Sequence, residues 1–242
     1  MTTRMRASAR EMRHMVGRYL HAQSLPGFAV NAVRDAIMAA EAEGFDAITE
    51  MEQLSGAYAD ARTSFAVTHT DAGVALDGRG TAALVLLPAL VDELALAAAR
   101  GETRVEVVAT PGIRIAAALG DYAAVRGVAF EIELPQGADA NSGDRAILTP
   151  HAVPLLPVHP AEGAAGERMR RILLDGYELD AEQFWRLFHE SNAALTPDSE
   201  LSRRHAGSQL YDDDGNLLGE VSEETYLHLR REAQSTERAV LA

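Results

Sequence analysis

The 242-residue chain is 47% hydrophobic and 24% charged, a balance that fits an ordered globular protein of one large or two small α/β domains. Its formal charge of -14, with arginines scattered singly or in pairs, excludes the cationic footprint that DNA or RNA binding requires. Neither lysine nor cysteine occurs, so Schiff-base and pyridoxal-phosphate chemistry, a phosphate-loop lysine, thiol nucleophiles, thiolate zinc sites and disulfides are all closed to it.

The opening MTTRMRASARE lacks the apolar run of a secretory signal, and the stretch Thr81 to Val91, broken by Pro88, is too short to span a bilayer. A cytoplasmic protein without membrane contact is the expectation. Ser8 and Glu11 form a capping-box pattern ahead of Met12, Met15, Val16, Tyr19 and Leu20, predicting a helix from about Ser8 to Gln23. Leu25-Pro26-Gly27 ends it. A second helix runs from about Phe28 to Gly44 with Val30, Val33, Ile37 and Ala40 on one face, and a third is predicted from Ala47 to Ala61.

Ser64 to Thr70 and Gly73 to Asp77 read as a hairpin closed by Gly78-Arg79-Gly80. An alanine-rich helix is predicted from Leu90 to Arg100, a strand from Arg104 to Val108, a helix from Arg114 to Arg126 and a strand from Val128 to Leu134. That last strand-helix-strand order implies a crossover unit and a parallel or mixed sheet. Pro135 to Asp144 is linker-like, and the HAVPLLPVHP that follows reads as extended. A boundary there separates residues 1–134, helical at the N-terminus and then α/β, from an α+β region 145–242 that can pack with them as one domain. Farther on, Glu162 to Leu174 reads as a helix, and Asp180 with Gln183 caps another that carries Phe184, Leu187 and Phe188. Asp214-Gly215 reads as a hairpin turn between Gln209-Leu210-Tyr211 and Leu217-Leu218, and Glu223 to Glu232 as a polar helix.

Three patterns resemble ligand motifs. Gly78 to Ala83 fits the GxGxxA variant of the dinucleotide loop, although a plain glycine turn explains it as well and no acidic residue ends the next predicted strand. Asp212, Asp214, Asn216 and Glu223 imitate a calcium loop but place Leu217 where its turn needs glycine. His151, His159, His189 and His205 carry no metal-motif spacing, yet a fold could bring two or three together.

Leu195 to Asp214, LTPDSELSRRHAGSQLYDDD, is the segment densest in polar and ionisable groups. Arg203 or Arg204 could grip a carboxylate or phosphate, Ser199 and Ser202 could add hydrogen bonds, and Glu200 or His205 could move a proton. The structural alternative is a capped helical turn with its charges in solvent. TPDSELSRRHAG followed by YDDD resembles the C-terminal signature of the DUF3726 proteins, a bacterial family of unknown function, which implies no catalytic residues.

From about Arg6 to Glu131 the chain also resembles the malate/L-lactate dehydrogenase family in the order of its paired helices, the Ala75-Leu76-Asp77-Gly78 stretch, the alanine-rich helix, the strand around Val105 and Gly120-Asp121-Tyr122-Ala123. The resemblance implies an α/β fold with a mixed sheet, flanking helices and a helical N-terminus, as in a shortened member of that family. It also implies histidines where this chain has Gly44-Phe45-Asp46-Ala47-Ile48 and Ala109-Thr110-Pro111-Gly112, so nicotinamide-dependent hydride transfer is not expected.

The leading expectation is a protein that binds a small anionic metabolite, as a catabolic enzyme or as a binder, with no nucleic-acid or membrane partner, no assigned metal or cofactor, and self-association left open. One alternative is a catalytically silent structural or regulatory partner of a metabolic enzyme. A metal-dependent lyase or hydrolase using the histidines is the other.

Overall fold

A computed structural model describes residues 3–135, 144–154, 164–195, 209–211 and 217–220. The chain divides into two compact units, 1–194 and 195–242.

In the first unit, strand β1 (Arg4–Ala7) leads into helix α1 (Ala9–Ala22). The Glu11 amide donates to Ser8 Oγ at 3.2 Å and the Ser8 amide donates to Glu11 Oε2 at 2.8 Å, so two donors that a helix start leaves open are satisfied reciprocally. Helix α2 (Gly27–Ala42) buries Val30, Val33, Ile37 and Ala40 as its periodicity predicts. Helix α3 (Ala47–Gln53) is shorter than the predicted 47–61. The Gln23 side chain accepts from Ser55 Oγ at 3.1 Å and from the Gly56 amide at 3.2 Å, which pins the chain in a turn where the helix would have continued.

Strands β2 (Ala66–Thr70) and β3 (Gly73–Asp77) form the expected antiparallel hairpin. Helix α4 (Ala83–Ala99) then begins at Ala83 rather than Leu90 and runs through Pro88. Proline costs a helix interior about 3 kcal/mol. Leu84, Leu86, Leu87, Leu90, Val91 and Leu94 are all buried, and each large apolar side chain removed from water returns roughly 1.5–3 kcal/mol. Packing therefore overrides the break that the sequence suggests.

Strand β4 (Val105–Val108) lies parallel to β3. The predicted helix 114–126 is two pieces, a 3-10 turn Ile113–Ala118 and a short helix α5 (Gly120–Ala124), because Leu119 at φ -103° and ψ 12° interrupts the helical ladder. Strands β5 (Val128–Glu133) and β6 (Ala146–Ala152) complete a mixed sheet in the order β2-β3-β4-β6-β5. The crossover expected between β4 and β5 is present, but β6 lies between them, antiparallel to both. The linker-like stretch thus joins neighbouring strands of one sheet. One face of the sheet, carrying Val74, Leu76, Val105, Val107, Ala146 and Leu148, is buried under the helices, with α4 touching α2, β5 and β6. Glu106, Glu131 and Glu133 stand on the other face.

Helix α6 (Ala164–Asp175), strand β7 (Tyr177–Asp180), helix α7 (Ala181–Ser191) and a 3-10 turn Asn192–Ala194 end the unit. Asp180 Oδ1 accepts from the Gln183 amide at 2.9 Å, which starts α7 as expected. Strand β7 pairs antiparallel with β1, Arg4 opposite Asp180, a ladder no sequence pattern announced. Three tyrosines anchor the helical layer: Tyr58 donates to the Met51 carbonyl at 2.8 Å, Tyr177 to Met38 at 3.1 Å and Tyr122 to Ala32 at 3.4 Å. Burial raises the Tyr58 and Tyr122 hydroxyls above the ordinary tyrosine value and pushes Tyr177 up to about 12.

Within the second unit, strands β8 (Gln209–Tyr211) and β9 (Leu217–Glu220) pair antiparallel, and the predicted turn at Asp214-Gly215 lies outside the described residues. The predicted helix 223–232 lies outside the described residues. No described helix is long and apolar enough to cross a membrane.

Candidate functional site

Asp77 and Val108 stand opposite each other at the carboxyl ends of the parallel pair β3 and β4. Open α/β sheets form their ligand crevices at such ends, because loops diverge there above a rigid platform. The loop after β3, Gly78 to Ala82, is knitted to the loop after β4. The Gly78 amide donates to Val108 O at 3.0 Å, Gly80 to Ala109 O at 2.7 Å and Ala83 to Pro111 O at 2.7 Å. Thr81 donates to Gly78 O at 3.0 Å, and the Arg79 amide to Asp77 Oδ1 at 2.8 Å. A pyrophosphate cradle needs amides free to point at the ligand. These amides are already used, so the GxGxxA pattern serves here as a loop-to-loop clasp.

Two residues in this clasp adopt left-handed backbone without being glycine, Arg79 at φ 52° and Ala109 at φ 48°. Such conformations cost of order 1–3 kcal/mol each and persist where the surroundings over-determine them, as the three cross-loop hydrogen bonds do here.

Over the clasp lies a cleft with two adjoining lobes of about 500 Å³ each, which share Leu54, Ala82 and Pro111 as an apolar saddle. One lobe is lined by Asp60, Arg62, Arg79 and Thr81. Among the described residues, the Arg62 and Arg79 guanidinium groups make no ion pair. The other lobe is lined by Asp46, Thr49, Glu50, Gln53, Gly112 and Arg114.

Glu50 is the half-buried carboxylate of the second lobe. Its Oε1 rests directly against the Gly112 α-carbon, where a Cβ would collide, and Gly112 has φ +78°, which favours glycine independently. Burial raises the Glu50 carboxyl above the usual 4.5; Arg114 opposes that shift and Asp46 adds to it. The Arg114 guanidinium lies 5.8 Å from the Phe45 ring centroid, a cation-π arrangement on the same rim.

Helix α3 holds Glu50 in place through long-range bonds rather than its own cap. Glu41 Oε2 on α2 accepts from the Ile48 amide at 3.0 Å, and desolvation raises this carboxyl as well. On the other side, Gln183 Nε2 on α7 donates to Thr49 Oγ1 at 2.9 Å and to Glu52 Oε2 at 3.0 Å, while Arg186 bonds Glu52 Oε1 at 2.6 Å. The Arg186 bond holds the Glu52 carboxyl below the ordinary range. A further cleft of about 630 Å³, lined by Arg4, Glu41, Asp46, Glu178 and Asp180, lies on the β7 side of α3.

The residues singled out from sequence, Ser199, Glu200, Ser202, Arg203, Arg204 and His205, lie outside the described residues, as do His159 and the calcium-like Asp212, Asp214, Asn216 and Glu223. His151 is exposed on β6, and His189 is exposed on α7 against the Phe188 and Trp185 rings at 6.2 and 6.5 Å. Among the described residues no three His, Asp or Glu side chains gather as metal ligands.

Sequence reasoning missed Glu50, Arg62 and Arg114. The signal that could have found them is the β3-α4-β4 unit, since its strand ends mark where a crevice forms. Comparison of the chain with protein families, with characterised proteins and with solved structures finds no match.

Proposed function

We propose that the protein binds a small carboxylate-bearing metabolite in the cleft above β3 and β4. Arg79 and Arg62 grip the anion, and Glu50 is the group able to exchange a proton with it. The observation that carries this reading is Arg79. A hydrogen-bonded clasp with left-handed backbone fixes its main chain at the carboxyl end of β3, and its side chain, without an ion-pair partner among the described residues, lines a concave site. Arginine suits the task because its planar fork matches a carboxylate. Glu50 suits proton exchange because burial moves its carboxyl toward neutral pH.

The resemblance to malate/L-lactate dehydrogenases supports the location and not the chemistry. The two segments where that family carries histidines, 44–48 and 109–112, both reach this cleft through Gly44, Phe45, Asp46, Pro111 and Gly112. With no histidine in either, the reading is carboxylate binding, with any turnover resting on acid-base chemistry rather than hydride transfer.

Thermal-shift screening against hydroxy acids, keto acids and amino acids tests it. A ligand at about 100 times its Kd adds ~2.7 kcal/mol, which is several degrees in Tm. The expected result is stabilisation that Arg79→Ala abolishes. Stabilisation that survives Arg79→Ala and disappears in Arg203→Ala would move the anion site to the segment Ser199 to His205.

A further inference from the structure

We infer that the cleft takes a linear zwitterion, a molecule with a carboxylate at one end and an ammonium at the other joined by a short apolar chain. This inference rests on the cleft being the binding site. It concerns the second end of the ligand, about which the arginines say nothing.

The two lobes carry opposite charge. Arg62 and Arg79 outnumber Asp60 in one, while Asp46 and Glu50 outnumber Arg114 in the other. Leu54, Ala82 and Pro111 lie between them and offer no charge and no side-chain hydrogen-bonding group. A dicarboxylate spanning this saddle would set one anion beside two carboxylates, whereas an ammonium there would meet charge complementarity. An uncharged end would leave the Glu50 carboxylate desolvated without compensation.

Glu50 sharpens the preference. Its Oε1 is seated against Gly112, and among the described residues its carboxylate, unlike its backbone, makes no hydrogen bond. Arg114 acts on it only through space and is also placed over the Phe45 ring. The upward shift of the Glu50 carboxyl means that its charge is under-compensated by the protein groups around it, and an ammonium would supply what is missing. The apolar residues shared by the two lobes favour a ligand whose charges are joined by a chain longer than the single carbon of glycine.

Isothermal titration of the full chain with glycine, γ-aminobutyrate, δ-aminovalerate, valerate and glutarate tests the inference. The expected best ligand is one of the two longer amino acids, binding about tenfold or more tighter than valerate, glutarate or glycine, the equivalent of roughly 1.4 kcal/mol. Glu50→Gln, which keeps the side chain's shape, should erase the advantage of the longer amino acids over valerate. Asp46→Asn provides a second variant at an exposed position and should reduce the same advantage. Arg79→Ala should weaken every carboxylate.

If valerate or glutarate binds as tightly as the amino acids and only Arg79→Ala weakens binding, the zwitterion inference fails and the carboxylate site stands. Glycine binding as well as the longer amino acids also overturns it. If no carboxylate binds and Arg79→Ala changes nothing, the site itself is wrong.

Discussion

Gly78 and Thr110 touch where the loops after β3 and β4 meet. A Cβ on Gly78 would overlap Thr110 Oγ1 and come to 3.0 Å from the Ala109 carbonyl oxygen and 3.1 Å from Leu86. Thr110 is itself fully buried, its hydroxyl donating to Val108 O at 2.9 Å. The glycine at 78 is therefore demanded by the approach of the two loops, and with it the placement of Arg79 and of the cleft floor.

Gly78→Ala is expected to destabilise the protein by roughly 1–3 kcal/mol, the usual cost of forcing extra atoms into a packed site. Thr110→Ala in the same chain removes the worst overlap and should return some of that loss, a coupling readable as non-additivity in urea titrations of the two single variants and the double. Strict additivity would mean that the contact is relieved at no cost.

Glu50→Gln should leave stability at pH 7 unchanged or raised. The folded-state pKa of Glu50 lies above its unfolded value, so ionising it disfavours the fold. That cost is absent below the unfolded pKa and complete above the raised folded one. Stability of the wild-type chain should therefore fall relative to Glu50→Gln as pH rises through this window, as followed by thermal melts in a buffer series.

Glu52 has the opposite sign. Its folded-state pKa is lowered, chiefly by the Arg186 hydrogen bond, so its contribution is present above the unfolded value and is lost as pH falls through the folded one. Glu52→Gln should reduce stability at neutral pH and little at strongly acidic pH. Arg186 is exposed and the pair is screened by solvent, so the effect should stay below about 1 kcal/mol.

Ser8→Ala removes one member of the capping box and should cost about 1 kcal/mol. Leu87→Ala, in the fully buried stretch of α4, should cost roughly 2–5 kcal/mol through the cavity left behind. The gap between these two values, measured in the same denaturant series, compares a local cap with the core.

Features whose partners are close in sequence were legible. Ser8 and Glu11 announce α1 because both ends of the box lie within one turn, and the β2-β3 hairpin needs only its own alternation and turn. Pro88 points to a break that does not occur, because propensity is local while the burial of Leu84 to Leu94 is not. The β1-β7 ladder was invisible because two four-residue strands far apart carry no shared pattern. The same reasoning holds for the cleft. Glu50, Arg79 and Arg114 look ordinary one by one, and only the meeting of three separate segments gives them a common space. Ser199 through His205 stand out in the sequence for the converse reason, since their polar groups are dense along the chain itself.

The β1-β7 ladder has a consequence for how the protein is made. Synthesis proceeds from the N-terminus, so Arg4 through Ala7 emerge long before Tyr177 through Asp180, and the edge of β1 stays open over that interval. Helix α1 waits in the same way, because it packs on α7 as well as on α2. Contacts of such large sequence separation close late and slowly. Residues Arg4–Ala7 are thus tied down late although they are made early, and the nascent chain holds an unpaired strand edge exposed to neighbours until its own residues near position 180 arrive.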